Sequence, residues 1–283
     1  MPKDTTPSFR CSHKPTWCPG CGDYGVLNGV ERALVEFGRP AHEIAVVAGI
    51  GCSSRLPFFL STYGFHAVHG RGLCVATGLK TARPELTVMA VGGDGDALAI
   101  GGNHFFHAMR RNVDLTYVLM DNQIYGMTKG QTAPTSGQGI RTKSTPHGNP
   151  DLPVDPVWVA LSSGATYVAQ ALSSNPKQVA EIVLGGLRHR GIAFINVLSP
   201  CVTFNKDVGR DVFKAASLEL PVGHDVTSRA AALNVLIEAN GHYPLGLIYQ
   251  DPESRPFDER VEATVSAKGP SRSVIESLVA SYA

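Results

Sequence analysis

Asp94 and Asn122 carry the chemistry this sequence declares most openly. Each follows an apolar run of strand length, residues 86–91 before Gly93-Asp94-Gly95 and residues 115–120 before Asp121-Asn122. Between them, Leu98, Ile100, Phe105, Phe106 and Met109 recur at roughly helical spacing. A strand, a helix and a second strand therefore bring one carboxylate and one amide oxygen to neighbouring strand tips. Magnesium takes about six hard oxygen ligands and draws some of them from a substrate's phosphates, so these two side chains and one backbone carbonyl suffice. The carbonyl of Ile124 is the expected third ligand. Gly93 and Gly95 let the backbone turn sharply and approach a phosphate. A Gly-Asp-Gly turn also occurs in ordinary tight turns, so its surroundings must separate the two readings.

Thiols form the second constellation. Cys18-Pro19-Gly20-Cys21 pairs two cysteines just ahead of a helix, and Cys52 and Cys201 each follow an expected strand, which leaves Cys11 and Cys74 apart. Four thiolates are the usual ligand set of a 4Fe-4S cluster. They suit tetrahedral zinc as well. A thioredoxin-like dithiol would have its pKa lowered by the helix, but no strand precedes this pair. Disulfides fit least, because a core of this size needs no staples and nothing suggests secretion. Cluster and zinc both remain open on the residues alone.

The elements that must position these groups follow from periodicity. Strands are expected at 44–48, 86–91, 115–120, 166–170 and 192–198. Helices are expected from Asp23, read as an N-cap, to Gly38, and at 73–82, 97–111, 176–190, 228–238 and 271–281. Alternating strands and helices make an α/β fold with a doubly wound, mostly parallel sheet, whose ligands gather beyond the carboxyl ends of the strands. Residues 128–156, rich in Gly, Pro, Ser and Thr, read as a long surface excursion. Its Lys129, Arg141 and Lys143 are candidates for closing over an anion.

With 283 residues, 43% hydrophobic and 17% charged, the chain can bury a large core. Lys and Arg total 25 against 24 Asp and Glu, which leaves no electrostatic footprint for nucleic acid or an anionic membrane. The stretch MPKDTTPSFRCSHK lacks the apolar core of a secretion signal, and no later run reaches bilayer length. A cytoplasmic enzyme without nucleic-acid or membrane partners is expected. No internal repeat is visible.

The blocks GGDGDALAIGGNH and DNQIYGMTKGQ, with the spacing between them, resemble the thiamine diphosphate signature of the 2-oxoacid:ferredoxin oxidoreductases. The likeness extends through WCPGCGDYGVLNG, GIGCSSRLPFF and YGFHAVHGRGLCVATG, and onward to Ser199-Pro200-Cys201. The chain resembles the beta, cofactor-binding subunit of that family from Trp17 to about Thr135. The resemblance implies a thiamine diphosphate-binding fold over residues 1–204 and a C-terminal extension, 205–283, that packs on a partner subunit. It implies a magnesium ion on Asp94, Asn122 and Ile124, and a 4Fe-4S cluster on Cys18, Cys21, Cys52 and Cys201. Ile50, Gly51, Cys52, Ser53, His69, Gly93, Gly95, Asp96, Gly126 and Met127 would surround the cofactor.

The implied reaction is oxidative decarboxylation of a 2-oxoacid with coenzyme A to acyl-CoA and carbon dioxide, electrons leaving through the cluster to ferredoxin, reversible in principle. In this family the glutamate that meets the aminopyrimidine comes from the alpha subunit, so a heterodimer or a dimer of heterodimers is expected. His69 is the favoured polar contact to cofactor or substrate, with His66 and Arg71 nearby. Arg55, three residues beyond Cys52, could pair with a distal carboxylate, which favours 2-oxoglutarate over pyruvate. Lys129, where many relatives carry Gly, is a second substrate-side candidate. Two rivals are a non-oxidative thiamine diphosphate decarboxylase with structural zinc and a cluster-binding electron-transfer subunit without catalysis.

Overall fold

The computed structural model describes residues 8–265 and 272–282. Parts of the N-terminal reading (residues 1–7) and of the terminal helix reading (residue 271) fall outside the described residues. Four apolar runs are buried along their whole length: β1 (Ile44–Ala48), β4 (Thr116–Asp121), β5 (Tyr167–Leu172) and β6 (Ala193–Leu198). Strands buried on both faces are the interior of a parallel sheet. With β2 (Tyr63–His66), β3 (Thr87–Gly93), β7 (Ser217–Glu219) and β8 (Tyr243–Gln250) they form one sheet among the described residues, ordered β2-β1-β3-β4-β6-β5-β8-β7. Every pairing is parallel except β5 with β8.

Alternate strand residues point to opposite faces, and each face has its own helices. Val46, Met89, Val118 and Ile195 pack with α1 (Asp23–Phe37) and α5 (Pro176–Arg188). Val47, Ala90, Leu119 and Phe194 pack with α2 (Gly72–Ala82), α3 (Gly102–Arg111), α4 (Pro156–Ser162) and α7 (Arg229–Ala239). The ends follow local chemistry. Asp155 and Asn175 accept hydrogen bonds from the first turns of α4 and α5, each with a proline at the next position. Gly38, at φ 76°, closes α1 through an N–H to the Leu34 carbonyl. The expected helix over 97–111 is split. A wide turn, Asp96–Ile100, precedes α3.

Residues beyond 204 are woven into this sheet. α6 (Arg210–Ala215) leads to β7, and α7 to β8, which pairs antiparallel with β5. Ala232, Leu236, Ile248 and Tyr249 belong to the same core face as Val168 and Phe194. α8 (Phe257–Thr264) and α9 (Arg272–Ala280) follow. Among the described residues no helix is long and apolar enough to cross a membrane. Because α7 shares the core, Leu236→Ala is predicted to cost about 2–5 kcal/mol and to lower one common unfolding transition in urea. A separate early transition confined to residues 205–283 would contradict this integration.

Candidate active site

β1, β3 and β4 end side by side, with Gly93 paired to Met120 in register. The chain leaves β1 for β2 on one side and returns to β3 on the other, so a crevice opens at their carboxyl ends. One carboxylate holds its walls. Asp96, 5% exposed, accepts hydrogen bonds on Oδ1 from the N–H of Ile50 (2.9 Å), the N–H of Gly70 (2.8 Å) and Nδ1 of His69 (2.9 Å). The loops after β1, β2 and β3 therefore meet on one oxygen. Gly49 is required here, because a Cβ would lie 1.8 Å from Asp96 Oδ2. Asp96 fixes the His69 ring with Nδ1 as donor, leaving Nε2 the acceptor in the neutral ring.

Asp94 and Asp121 are 2% and 1% exposed, and among the described residues neither has an ion-pair partner. The Thr135 hydroxyl lies 2.6 Å from Asp94 Oδ2 and 2.9 Å from Asp121 Oδ1. Its single proton serves only one of them at a time. Burial pushes the Asp94 carboxyl up from 3.8 to about 6, against the pull of Thr135 and nearby backbone amides. Burial, then the charge of Asp94, pushes Asp121 well above the usual carboxylate range. A cation at Asp94 would relieve both. Asn122 Oδ1 accepts the Ile124 N–H at 3.0 Å, which curls the next residues around the crevice. With the Ile124 carbonyl this is a hard-oxygen donor set, and it fits magnesium.

The stretch 128–156 departs from its surface reading. Ala133, Thr135, Ser136 and Asn149 are buried, and the Ser136 hydroxyl donates to the Gln123 carbonyl at 2.6 Å. This segment backs the carboxylate pair, while Arg141 and Lys143 are exposed and away from the crevice. The crevice, about 230 Å³, is lined by Ile50, Gly51, Cys52, Ser53, His69, Gly93, Asp94, Gly95, Asp96, Asn122, Ile124, Gly126 and Met127. Tyr125 and Thr128 also line it, and sequence reasoning did not name them. A Cβ on Gly95 would meet the Tyr125 ring at 2.2 Å, so that contact is a long-range signal no local pattern carries.

Arg55 and Lys129 are not on the lining. Arg55 is half-buried in the 3₁₀ turn Ser53–Phe59, and its charge acts on Cys52. Lys129 is exposed one residue beyond Thr128, with φ 77°, a left-handed backbone that favours glycine. Two further expectations are corrected. His66 is exposed against the Phe58 ring, and Arg71 is bonded to His104; neither lines the crevice. Asp23 is no N-cap either. Gly22 holds that position and the Asp23 side chain turns inward, 2% exposed.

The four cysteines converge beside the crevice. The Gly22 N–H donates to the Pro200 carbonyl at 3.1 Å, joining the Cys18–Cys21 turn to the Cys201 loop. Trp17 Nε1 donates to the Cys52 carbonyl at 2.7 Å. A Cβ on Gly126 would lie 3.3 Å from Cys201 Sγ and 4.0 Å from Cys52 Sγ. Burial, Asp23, Cys201 and Cys18 push the Cys52 thiol up to about 11, opposed by Arg55. Burial and Asp23 push Cys21 up, with Cys201 and Cys52 adding to the effect. The cysteines are free thiols. Among the described residues no three His, Cys, Asp or Glu side chains already close on a single point. An all-sulfur donor set spread around the gap at Gly126 fits a group broader than one ion.

The family model for the thiamine pyrophosphate enzyme C-terminal TPP-binding domain matches residues 49–197. The model for the C-terminal part of the pyruvate ferredoxin oxidoreductase beta subunit matches residues 201–265. The 2-oxoglutarate oxidoreductase subunit KorB of Mycobacterium tuberculosis is 50% identical over 197 residues, 70% of this chain and 53% of that protein. The chain thus spans about half the length of that relative. The 2-oxoacid:ferredoxin oxidoreductase subunit beta of Sulfolobus sp is 39% identical, over 89% of this chain and 87% of its own. A solved 2-oxoglutarate:ferredoxin oxidoreductase from Magnetococcus marinus, with 2-oxoglutarate, coenzyme A and succinyl-CoA bound, aligns with a TM-score of 0.91. It is 42% identical, over 95% of this chain and 94% of that chain.

Asp94 holds its proton more tightly in the folded chain, near 6, than at its ordinary 3.8. Its stabilising contribution is complete below about pH 4 and is lost as the pH rises to about 6. In the metal-free chain this loss is predicted to be about 2–3 kcal/mol. Urea unfolding at pH 4.5 and pH 7 should show it, with magnesium and thiamine diphosphate recovering stability only at the higher pH and Asp94→Asn flattening the profile. Identical profiles for both chains would contradict the assignment.

Proposed function

This chain belongs to the 2-oxoacid:ferredoxin oxidoreductase family as a beta subunit, and on that premise we propose that it oxidatively decarboxylates 2-oxoglutarate with coenzyme A. The products are succinyl-CoA and carbon dioxide, and the electrons leave through a 4Fe-4S cluster to ferredoxin. The observation that carries this reading is the double position of Cys52, which lines the crevice and faces the other three cysteines. A thiamine site alone has no use for the cysteines, and an electron carrier alone has none for the carboxylate-bearing crevice.

Asp94, Asn122 and the Ile124 carbonyl would hold magnesium with the diphosphate, and the backbone of Gly95, Asp96, Gly126 and Met127 would surround the phosphate oxygens. Bound there, thiamine diphosphate would supply the electron sink for decarboxylation, and Cys18, Cys21, Cys52 and Cys201 would hold a cluster able to accept electrons singly. His69, its ring fixed by Asp96, presents Nε2 as an oriented polar group toward cofactor or substrate. Both carboxylates on the crevice have assigned work, Asp94 at the metal and Asp96 between the loops. No glutamate is among the lining residues described. This supports an alpha subunit that completes the crevice and brings the missing carboxylate. Free thiols suit a cytoplasmic location.

Arg55 would set the substrate preference. Its guanidinium has no ion-pair partner among the described residues, and it stands in the turn after Cys52, where the second carboxylate of 2-oxoglutarate can neutralise it. Lys129, next to the lining residue Thr128, keeps an unfavourable left-handed backbone, a cost of about 1–2 kcal/mol that a substrate-side role would justify.

Anaerobic purification with the alpha subunit is predicted to give about four irons and one thiamine per pair. Zinc without iron, or iron without thiamine, would overturn the proposal. Arg55→Met is predicted to raise KM for 2-oxoglutarate by about 10–100-fold while leaving slow turnover of pyruvate nearly unchanged, as expected for loss of one charge-assisted contact. Equal effects on both substrates would remove Arg55 from substrate choice.

A further inference from the structure

α1 opens on a carboxylate that serves no helix. Asp23 Oδ1 accepts the Ser199 hydroxyl at 2.6 Å, and Oδ2 is buried without a hydrogen-bond partner. Ser199 is two residues before Cys201, and Asp23 two after Cys21. The Asp23 backbone N–H acts on the Cys21 sulfur, the Cys21 thiol acts on the Asp23 carboxylate, and the Asp23 charge acts on both Cys21 and Cys52. Among the described residues no Lys, Arg or His pairs with it. This side chain therefore does two things. It ties the Cys201 loop to the Cys18–Cys21 turn, and it sets an unneutralised carboxylate, excluded from water, against the sulfur cage.

A negative charge beside a redox centre opposes the arrival of an electron, and exclusion of water leaves that repulsion poorly screened. Charge and hydrogen bonds around the sulfurs are what set a cluster's potential. We infer that Asp23 is a positioning residue of the cysteine site whose carboxylate, steered by Ser199, lowers the reduction potential of the cluster. The inference rests on the proposed 4Fe-4S cluster at Cys18, Cys21, Cys52 and Cys201. The step it governs is a one-electron reduction. The electron comes from the 2-oxoacid being oxidised in the crevice and leaves to ferredoxin, and no covalent bond forms or breaks at Asp23. A lower potential makes the enzyme a stronger reductant of ferredoxin.

The test uses the enzyme assembled with its alpha subunit, purified anaerobically as wild type, Asp23→Asn and Ser199→Ala. Iron and sulfide are counted, and the cluster's electron paramagnetic resonance signal is followed through a redox titration. Asp23→Asn, nearly the same shape without the charge, is expected to keep its iron and move the midpoint positive. The shift should be at least tenfold in the reduction equilibrium, or about 59 mV for a one-electron couple. Ser199→Ala keeps the charge and removes the hydroxyl that partly offsets it, so its midpoint should fall below the wild-type value. A purely structural role would cost both variants iron and shift neither midpoint in this opposed way. An unchanged midpoint in iron-replete Asp23→Asn overturns the inference. If that variant loses its cluster, Ser199→Ala decides: a midpoint below wild type supports the inference, and an unchanged or positive midpoint overturns it. Wild-type enzyme without iron would instead remove the cluster reading itself, and this inference with it.

Discussion

The carboxylate of Asp96 is the constraint on which the site depends. A parallel sheet delivers strand ends to one edge but does not fix the loops that leave them. Here the loops after β1 and β2 donate to one buried oxygen that the loop after β3 supplies. Breaking that junction would free the Ile50–Ser53 segment and the His69 ring together and leave a buried carboxylate unpaired, which costs more than the hydrogen bonds themselves are worth. The glycine at 49 is the complement of this junction, since any side chain there would occupy the place of the Asp96 carboxylate.

From this junction the rest follows by short covalent distance. Ile50, held by Asp96, is two residues from Cys52, so the loop that shapes the crevice also delivers a thiol to the cysteine group. Gly126, two residues past Ile124, leaves a gap beside Cys52 and Cys201. The crevice and the cysteines therefore share both walls. Such proximity would let electrons pass from the crevice to the proposed cluster without an intervening domain. Buried acids mark both places. Asp94 and Asp121 sit under the crevice and Asp23 under the cysteines, each raised by burial and each without a cation among the described residues. Carboxylates are rarely left so unless they are paired or ligate metals.

Much of the fold was legible because fully buried strands read as apolar runs. The expected strand at 44–48 is the one that forms, and the four others lie within two residues of their expected limits at either end. β2 was missed because Tyr63–His66 is exposed along its length and carries no burial pattern. β8 was missed because Tyr243–Gln250 contains Pro244 and Gly246 and has a mixed burial pattern. Asp23 was misread because a capping aspartate and an inward-turned one look alike in sequence; only the contact with Ser199, 176 positions away, tells them apart. Motif blocks pointed to the crevice-lining residues, whereas Thr135 and the bonds of Asp96 are long-range contacts with no periodicity to reveal them.

The most direct test of the account is a single turnover without ferredoxin. The assembled enzyme, oxidised and anaerobic, is mixed with 2-oxoglutarate, and the cluster's paramagnetic signal is followed in time, beside the same experiment with Asp94→Ala. The account predicts that substrate alone generates a reduced-cluster signal in the wild type and none in the variant, although both contain iron. A signal in both, or in neither, would contradict the claim that crevice and cysteines form one electron path.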